Sequence, residues 1–141
     1  MLCGVAFASN KRDGFDMNVL LVEDDENLAQ ITISALAMCG HDATVATTMR
    51  EAVDRLSEPN TYPLVLLDLQ LPDGRGEDVV HELRGRHQAL PPILIVSGLP
   101  EPDLAESVDA IDAVASIRKP FRMATLCETV ERIVASGKVC E

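Results

Sequence analysis

Residues 64–68 read Leu64-Val65-Leu66-Leu67-Asp68, four apolar residues followed at once by a carboxylate. The same shape occurs upstream as Val19-Leu20-Leu21-Val22-Glu23-Asp24-Asp25 and downstream as Ile93-Leu94-Ile95-Val96-Ser97-Gly98. A short apolar run that does not alternate suits a strand covered by helices on both faces, as in a parallel sheet. These three runs are therefore expected to be the central strands. Ala43 to Ala46 is interrupted by Thr44, and Ala113 to Ile117 contains Ser116, so both fit positions nearer the sheet edges.

Segments of helical period separate the runs. Leu28, Ile31, Ala35 and Met38 share one stripe, with Gly40 placed to end the helix in a left-handed cap. Met49, Ala52, Val53 and Leu56 form the next, introduced by Thr48 and Glu51 at the spacing of a capping box. Val79, Val80 and Leu83 mark a third after Gly76, Leu104, Val108 and Ile111 a fourth opening near Pro102, and Leu126, Val130, Ile133 and Val134 a fifth before Gly137. The alternation predicts an α/β fold: a doubly wound, five-stranded parallel sheet with five helices, in one domain over residues 17–137. Residues 1–16 and 138–141 are expected to be tails, the first disordered, and the chain's end just past the fifth helix is expected of either a stand-alone unit or one domain cut from a longer regulator, with no room for an effector domain within these residues.

Composition narrows the function. The 141 residues carry 12 Lys plus Arg against 23 Asp plus Glu, a formal charge of −11 that repels nucleic-acid phosphates and anionic membrane surfaces. Aromatic residues are 3% of the chain, too few for a base-stacking platform. No run approaches the ~18 apolar residues of a membrane span. The opening Met1 to Ala8 is apolar but has no leading positive region, so no secretion signal is expected there. Cys3, Cys39, Cys127 and Cys140 lack the paired spacing of zinc or redox motifs and read as reduced thiols of a cytoplasmic protein.

Right-handed crossovers bring the C-terminal ends of parallel strands to one edge, where ligands of such sheets bind. Glu23, Asp24 and Asp25 end the first strand, Asp68 the third and Ser97-Gly98 the fourth, and Lys119-Pro120 follows the fifth. Carboxylates converging there need a cation or protons, and hard oxygen donors favour Mg2+. Three ionised carboxylates, Glu23, Asp24 and Asp68, are balanced by one divalent ion and the Lys119 ammonium.

Four ordered motifs, VLLVEDDE, LVLLDLQLPDGRG, ILIVSG and RKPF, make residues 17–137 resemble the CheY-like receiver domains of two-component response regulators. The resemblance implies a flavodoxin-like strand order, 2-1-3-4-5. It implies that Asp68 takes a phosphoryl group from a histidine kinase, a histidine phosphotransfer protein or a small donor, without making the chain an enzyme of turnover. It also implies that Asp24 and Asp68 bind Mg2+ directly, Glu23 through water and Gln70 by its backbone carbonyl. Lys119 and Ser97 would contact the phosphate, beside the Gly98 N–H, and the Lys119-Pro120 bond would be cis. Autodephosphorylation would be tuned from Gln70 and Leu99. Output would pass to an unknown downstream protein, with a homodimer through the fourth helix, fifth strand and fifth helix as one form.

Two departures stand out. Ser116 occupies the position where receivers usually carry Tyr or Phe, which leaves open a receiver-like module that works without phosphorylation. Asp112, Val114 and Ala115 replace a Gly-containing approach to the fifth strand. Blander readings apply elsewhere. Asp25 and Asp73 are more simply helix or turn caps than ligands. His81-Glu82-Leu83-Arg84-Gly85 is a solvated helix face, His41 and His87 have no ligand spacing, and Met38, Met49 and Met123 are core fillers. Cys39 and Cys127, on helices that pack together in the family, are expected to be a buried thiol pair without a disulfide.

Overall fold

A computed structural model describes residues 16–58 and 61–137; apart from Asp16, the two expected tails lie outside this range. The three apolar runs form β1 (Asn18–Val22), β3 (Val65–Leu67) and β6 (Ile93–Ser97), with β2 (Asp42–Ala46) and β7 (Ala115–Arg118) at the edges. All five are parallel in the order β2-β1-β3-β6-β7. This is the flavodoxin-like arrangement, the third, fourth and fifth strands of the sheet being β3, β6 and β7. Register pairs Val22 with Leu67 and Leu67 with Ile95, so β1 and β3 end level while β6 runs two residues farther, to Ser97. A two-stranded antiparallel ladder, β4 (Gln70–Leu71) and β5 (Gly74–Arg75), follows β3. Its two-residue strands are too short for any periodicity in the sequence to reveal.

The helices are α1 (Glu26–Met38), α2 (Met49–Leu56), α3 (Gly76–Gly85), α4 (Glu101–Ile111) and α5 (Met123–Ala135). Because successive strand residues point to opposite faces, the sheet divides the interior in two. Leu20, Val22, Val65, Leu67, Ile93 and Ile95 face α2, α3 and α4, against Val53, Leu83 and Leu104. Val19, Leu21, Leu64, Leu66, Leu94 and Val96 face α1 and α5, against Leu36, Leu126 and Val130. No helix among the described residues is long and apolar enough to cross a membrane.

The helix ends follow local chemistry. Gly40 takes φ +90° after α1. Thr48 Oγ1 accepts from Glu51 N at 3.0 Å, but the returning Glu51 carboxylate reaches Thr47 N at 2.7 Å, one residue before the cap. Asp112 ends α4 in the left-handed conformation, φ 55° and ψ 45°, the geometry a glycine would otherwise supply.

Two expectations are corrected. The buried face of α1 is Ala29, Thr32, Ala35 and Leu36, which leaves Ile31 47% and Met38 74% exposed. Apolar residues take up well over half the circumference of α1, opposite Glu26, Asn27, Gln30 and Ser34, so its sequence did not say which part of that arc would meet the sheet. Met38 and Met123 are thus surface residues, while Met49 packs against the core edge. The second correction concerns Cys39 and Cys127, which are joined in a disulfide with Cα atoms 5.6 Å apart. That separation lies within the normal bridging range. Compartment arguments had favoured thiols, but α1 and α5 pack closely enough to bring the two sulfurs together.

Candidate functional site

The site's backbone is set by ladder bonds running one residue past the strands. Glu23 N donates to Ala46 O at 2.9 Å, Asp68 N to Val22 O at 3.0 Å, and Lys119 N to Ser97 O at 2.8 Å. Each side chain therefore leaves the sheet edge from a fixed point. The Lys119-Pro120 peptide bond is cis. Gly76, the first residue of α3, packs beneath Asp68 so tightly that a Cβ there would lie 2.3 Å from the Asp68 carbonyl oxygen.

Three carboxylates converge, with oxygens of Glu23, Asp24 and Asp68 all within 4.8 Å of one another. Glu23 and Asp68 are buried, at 4% and 6% exposure, whereas Asp24 faces solvent. Lys119 Nζ donates to Glu23 Oε1 at 2.7 Å and lies 3.3 Å from Asp68 Oδ2. Backbone N–H groups complete the pattern: Asp25 N donates to Glu23 Oε2 at 3.2 Å, and Gln70 N to Asp68 Oδ1 at 3.2 Å. Burial pushes the Glu23 carboxyl above its usual range; the Lys119 and Asp25 hydrogen bonds oppose this, and the Asp68 charge adds to it. Two buried carboxylates share one ammonium, so a negative charge remains for a further cation. An all-oxygen donor set open to solvent on the Asp24 side fits Mg2+, which prefers a few carboxylates and several waters.

Among the residues singled out from sequence, Glu23, Asp24, Asp68 and Lys119 come together. Ser97 is fully buried at the end of the adjacent strand, its Oγ accepting from Leu99 N at 3.3 Å. Gln70 is exposed and tied to Asp68 through its N–H, and nothing within 4 Å would obstruct a Cβ at Gly98. Ser116 is half-buried on β7.

Asp25 and Asp73 serve as caps. Asp25 Oδ1 accepts from Leu28 N at 3.0 Å, capping α1 directly behind the acidic pair. Asp73 reaches across to α2, accepting from Met49 N at 2.6 Å and Arg50 N at 3.0 Å, and these bonds hold its carboxyl below the usual range. A polar link between α3 and α4 escaped the sequence reading. Arg75 pairs with Glu77 at 2.9 Å, and Ser107 Oγ donates to the same carboxylate at 3.1 Å. No motif joins residues 30 positions apart, so only the packing of α4 on α3 reveals it.

A family model, response regulator receiver domain, matches residues 19–131. The regulatory protein VanRB of Enterococcus faecalis is 32% identical over 120 residues, covering 84% of this chain and 52% of VanRB. The aerobic respiration control sensor protein ArcB of Escherichia coli is 36% identical over 119 residues, covering 82% of this chain and 15% of ArcB. The chain thus spans about half of one relative's length and a small part of the other's. Among solved structures, the non-phosphorylated HemR receiver domain of Leptospira biflexa superposes with a TM-score of 0.72 at 31% identity, covering 84% of this chain and 94% of that one.

Proposed function

The chain belongs to the response regulator receiver domain family of two-component systems, and from that premise we propose that it is a Mg2+-dependent phospho-acceptor whose accepting residue is Asp68. The observation that carries this reading is the Lys119 ammonium held between Glu23 and Asp68, with Asp24 beside them. The donor is a cytoplasmic histidine kinase or histidine phosphotransfer protein. An Asp68 carboxylate oxygen attacks the phosphorus of a phosphohistidine, the oxygen–phosphorus bond forming as the nitrogen–phosphorus bond breaks. The electron pair returns to the imidazole nitrogen, which takes up a proton.

A carboxylate needs no deprotonation at neutral pH, so the protein's work is orientation and charge neutralisation. Glu23, Asp24, Asp68 and the Gln70 carbonyl would hold Mg2+, which supplies neutralisation of charge on the phosphoryl oxygens. Lys119 donates to an oxygen of the transferring group from the opposite side. Ser97 exchanges the Leu99 N–H for the new phosphate, which disturbs the loop leading into α4. The outer face of α4, β7 and α5 then presents a changed surface to a downstream protein or a second copy. The product is a signalling state and not a released compound, and its lifetime depends on water access past Gln70 and Leu99.

Incubating the protein with Mg2+ and acetyl phosphate or phosphoramidate should add the mass of one phosphoryl group, and Asp68→Asn should add none. Failure of the wild type to gain the adduct from any small donor or cognate kinase would overturn the proposal. A second reading is favoured by Ser116: a receiver-like module that binds its partner without phosphate. It requires that Asp68→Ala leave partner binding unchanged.

A further inference from the structure

We propose that Cys39 and Cys127 form a reversible dithiol–disulfide site, exchanging with low-molecular-weight thiols and disulfides of the glutathione class, that fastens α1 to α5 when oxidised. Cys39 is the C-cap of α1 and Cys127 lies in the second turn of α5. Both residues are half-buried and not sealed in the core, and exchange requires that a small thiolate reach one of the sulfurs.

The surroundings accommodate both oxidation states. The Ala35 carbonyl oxygen is 3.1 Å from Cys39 Sγ and 3.2 Å from Cys127 Sγ. When the bond is reduced, an S–H on either cysteine finds an acceptor already in place, and no polar group is stranded. The apolar packing of Ala35 and Leu36 with Leu126 and Val130 does not involve the sulfurs and holds the helices together in the reduced form.

Oxidation consumes one glutathione disulfide. A cysteine thiolate attacks it, releasing one glutathione thiolate and leaving a mixed disulfide. The second cysteine, losing its proton, attacks the protein sulfur of that intermediate and expels the other glutathione thiolate. Two cysteine thiols thus lose two electrons, the glutathione disulfide gains them, and the two protons pass to the released thiolates.

The position of the bond gives it a consequence. Helix α1 starts just after Glu23-Asp24 and α5 just after Lys119-Pro120-Phe121-Arg122. The Glu23–Lys119 ion pair joins these two chain segments at the sheet edge, and the disulfide joins them a second time farther along. Oxidation therefore converts a pair of packed helices into a covalently closed unit. Reduction releases the C-terminal end of α1, where Cys39 N donates to the Ala35 and Leu36 carbonyls and His41 N to the Leu36 carbonyl.

The test uses the full chain with Cys3→Ser and Cys140→Ser, so that only the paired cysteines titrate. Samples equilibrated across stepped ratios of glutathione to its disulfide are trapped with a maleimide and weighed intact, and amide exchange is followed on the end states. The expected result is a reversible passage between two labelled thiols and none, with the Cys39, Gly40 and His41 amides exchanging about tenfold faster when reduced. Adding Cys127→Ser should fix the fast exchange at every ratio. Peptide mapping of the trapped wild type gives the same reading should a variant fail to fold.

Two thiols persisting in excess glutathione disulfide would overturn the proposal, as would a bond that survives excess dithiothreitol in the folded protein. Reversible cycling with unchanged exchange in α1 would overturn the fastening. No phosphoryl donor enters these measurements, so they are independent of the function proposed for Asp68.

Discussion

One methyl group at position 76 is the smallest change that should disturb the acidic cleft. A Cβ there meets the Asp68 carbonyl at 2.3 Å and Leu69 Cα at 3.0 Å, both backbone atoms that cannot swing aside. Gly76→Ala should cost about 2–3 kcal/mol, read as a lower urea midpoint with an unchanged slope, and should slow phosphoryl uptake by displacing Asp68. Asp73 gives a pH-dependent counterpart. Its two backbone hydrogen bonds lower the folded carboxyl below the ordinary 3.8, so its contribution is present above that value and lost as pH falls through the folded one. Asp73→Ala should lower the melting temperature at neutral pH, and the gap from wild type should close in acid. The sequence allowed Asp73 to be a cap but could not say of which helix, because the N–H groups it serves belong to Met49 and Arg50, 24 and 23 residues away.

Elements with a single clear pattern were legible in the sequence, and those with competing patterns were not. Unbroken apolar runs located β1, β3 and β6, and the polar residues that end them located the cleft. Helix α1 was misoriented because its apolar residues do not choose a face. The β4–β5 ladder and the Glu77–Ser107 link depend on chain segments meeting in three dimensions and leave no periodic trace. The resemblance already set the helices of Cys39 and Cys127 side by side, but the bridge was missed because an argument from compartment says nothing of whether two sulfurs come within bonding distance. On β7, Ser116 lines a cleft of about 410 Å³ with Arg118, Phe121, Arg122 and Thr125. A ring has room there, so Ser116→Phe should change stability by less than about 1 kcal/mol. It should also leave Asp68 phosphorylation intact; comparing urea midpoints and adduct mass with the wild type checks both points.

Across the whole molecule the strongest restraint is covalent. The Cys39–Cys127 bond closes a loop of 88 residues, and chain-entropy reasoning assigns such a closure up to about 4–5 kcal/mol against the unfolded state. Denaturation with and without dithiothreitol should show a lower midpoint for the reduced protein. The sheet imposes a different kind of order. Each central strand sends alternate side chains into one of two interiors, and the buried clusters on the two sides share no residue. The backbone between them acts as a partition, so packing damage on one side has no side-chain route to the other. Ile111→Val, on the buried face of α4, and Ile133→Val, on the buried face of α5, should each cost about 0.5–1.5 kcal/mol. Their double variant should lose the sum to within about 0.5 kcal/mol, a zero coupling energy across the sheet. Both helical layers then draw on one shared stability without interacting: the cost of a change in one layer does not depend on what the other holds, and each is free to diversify on its own terms while the strands between them hold the acidic edge in place.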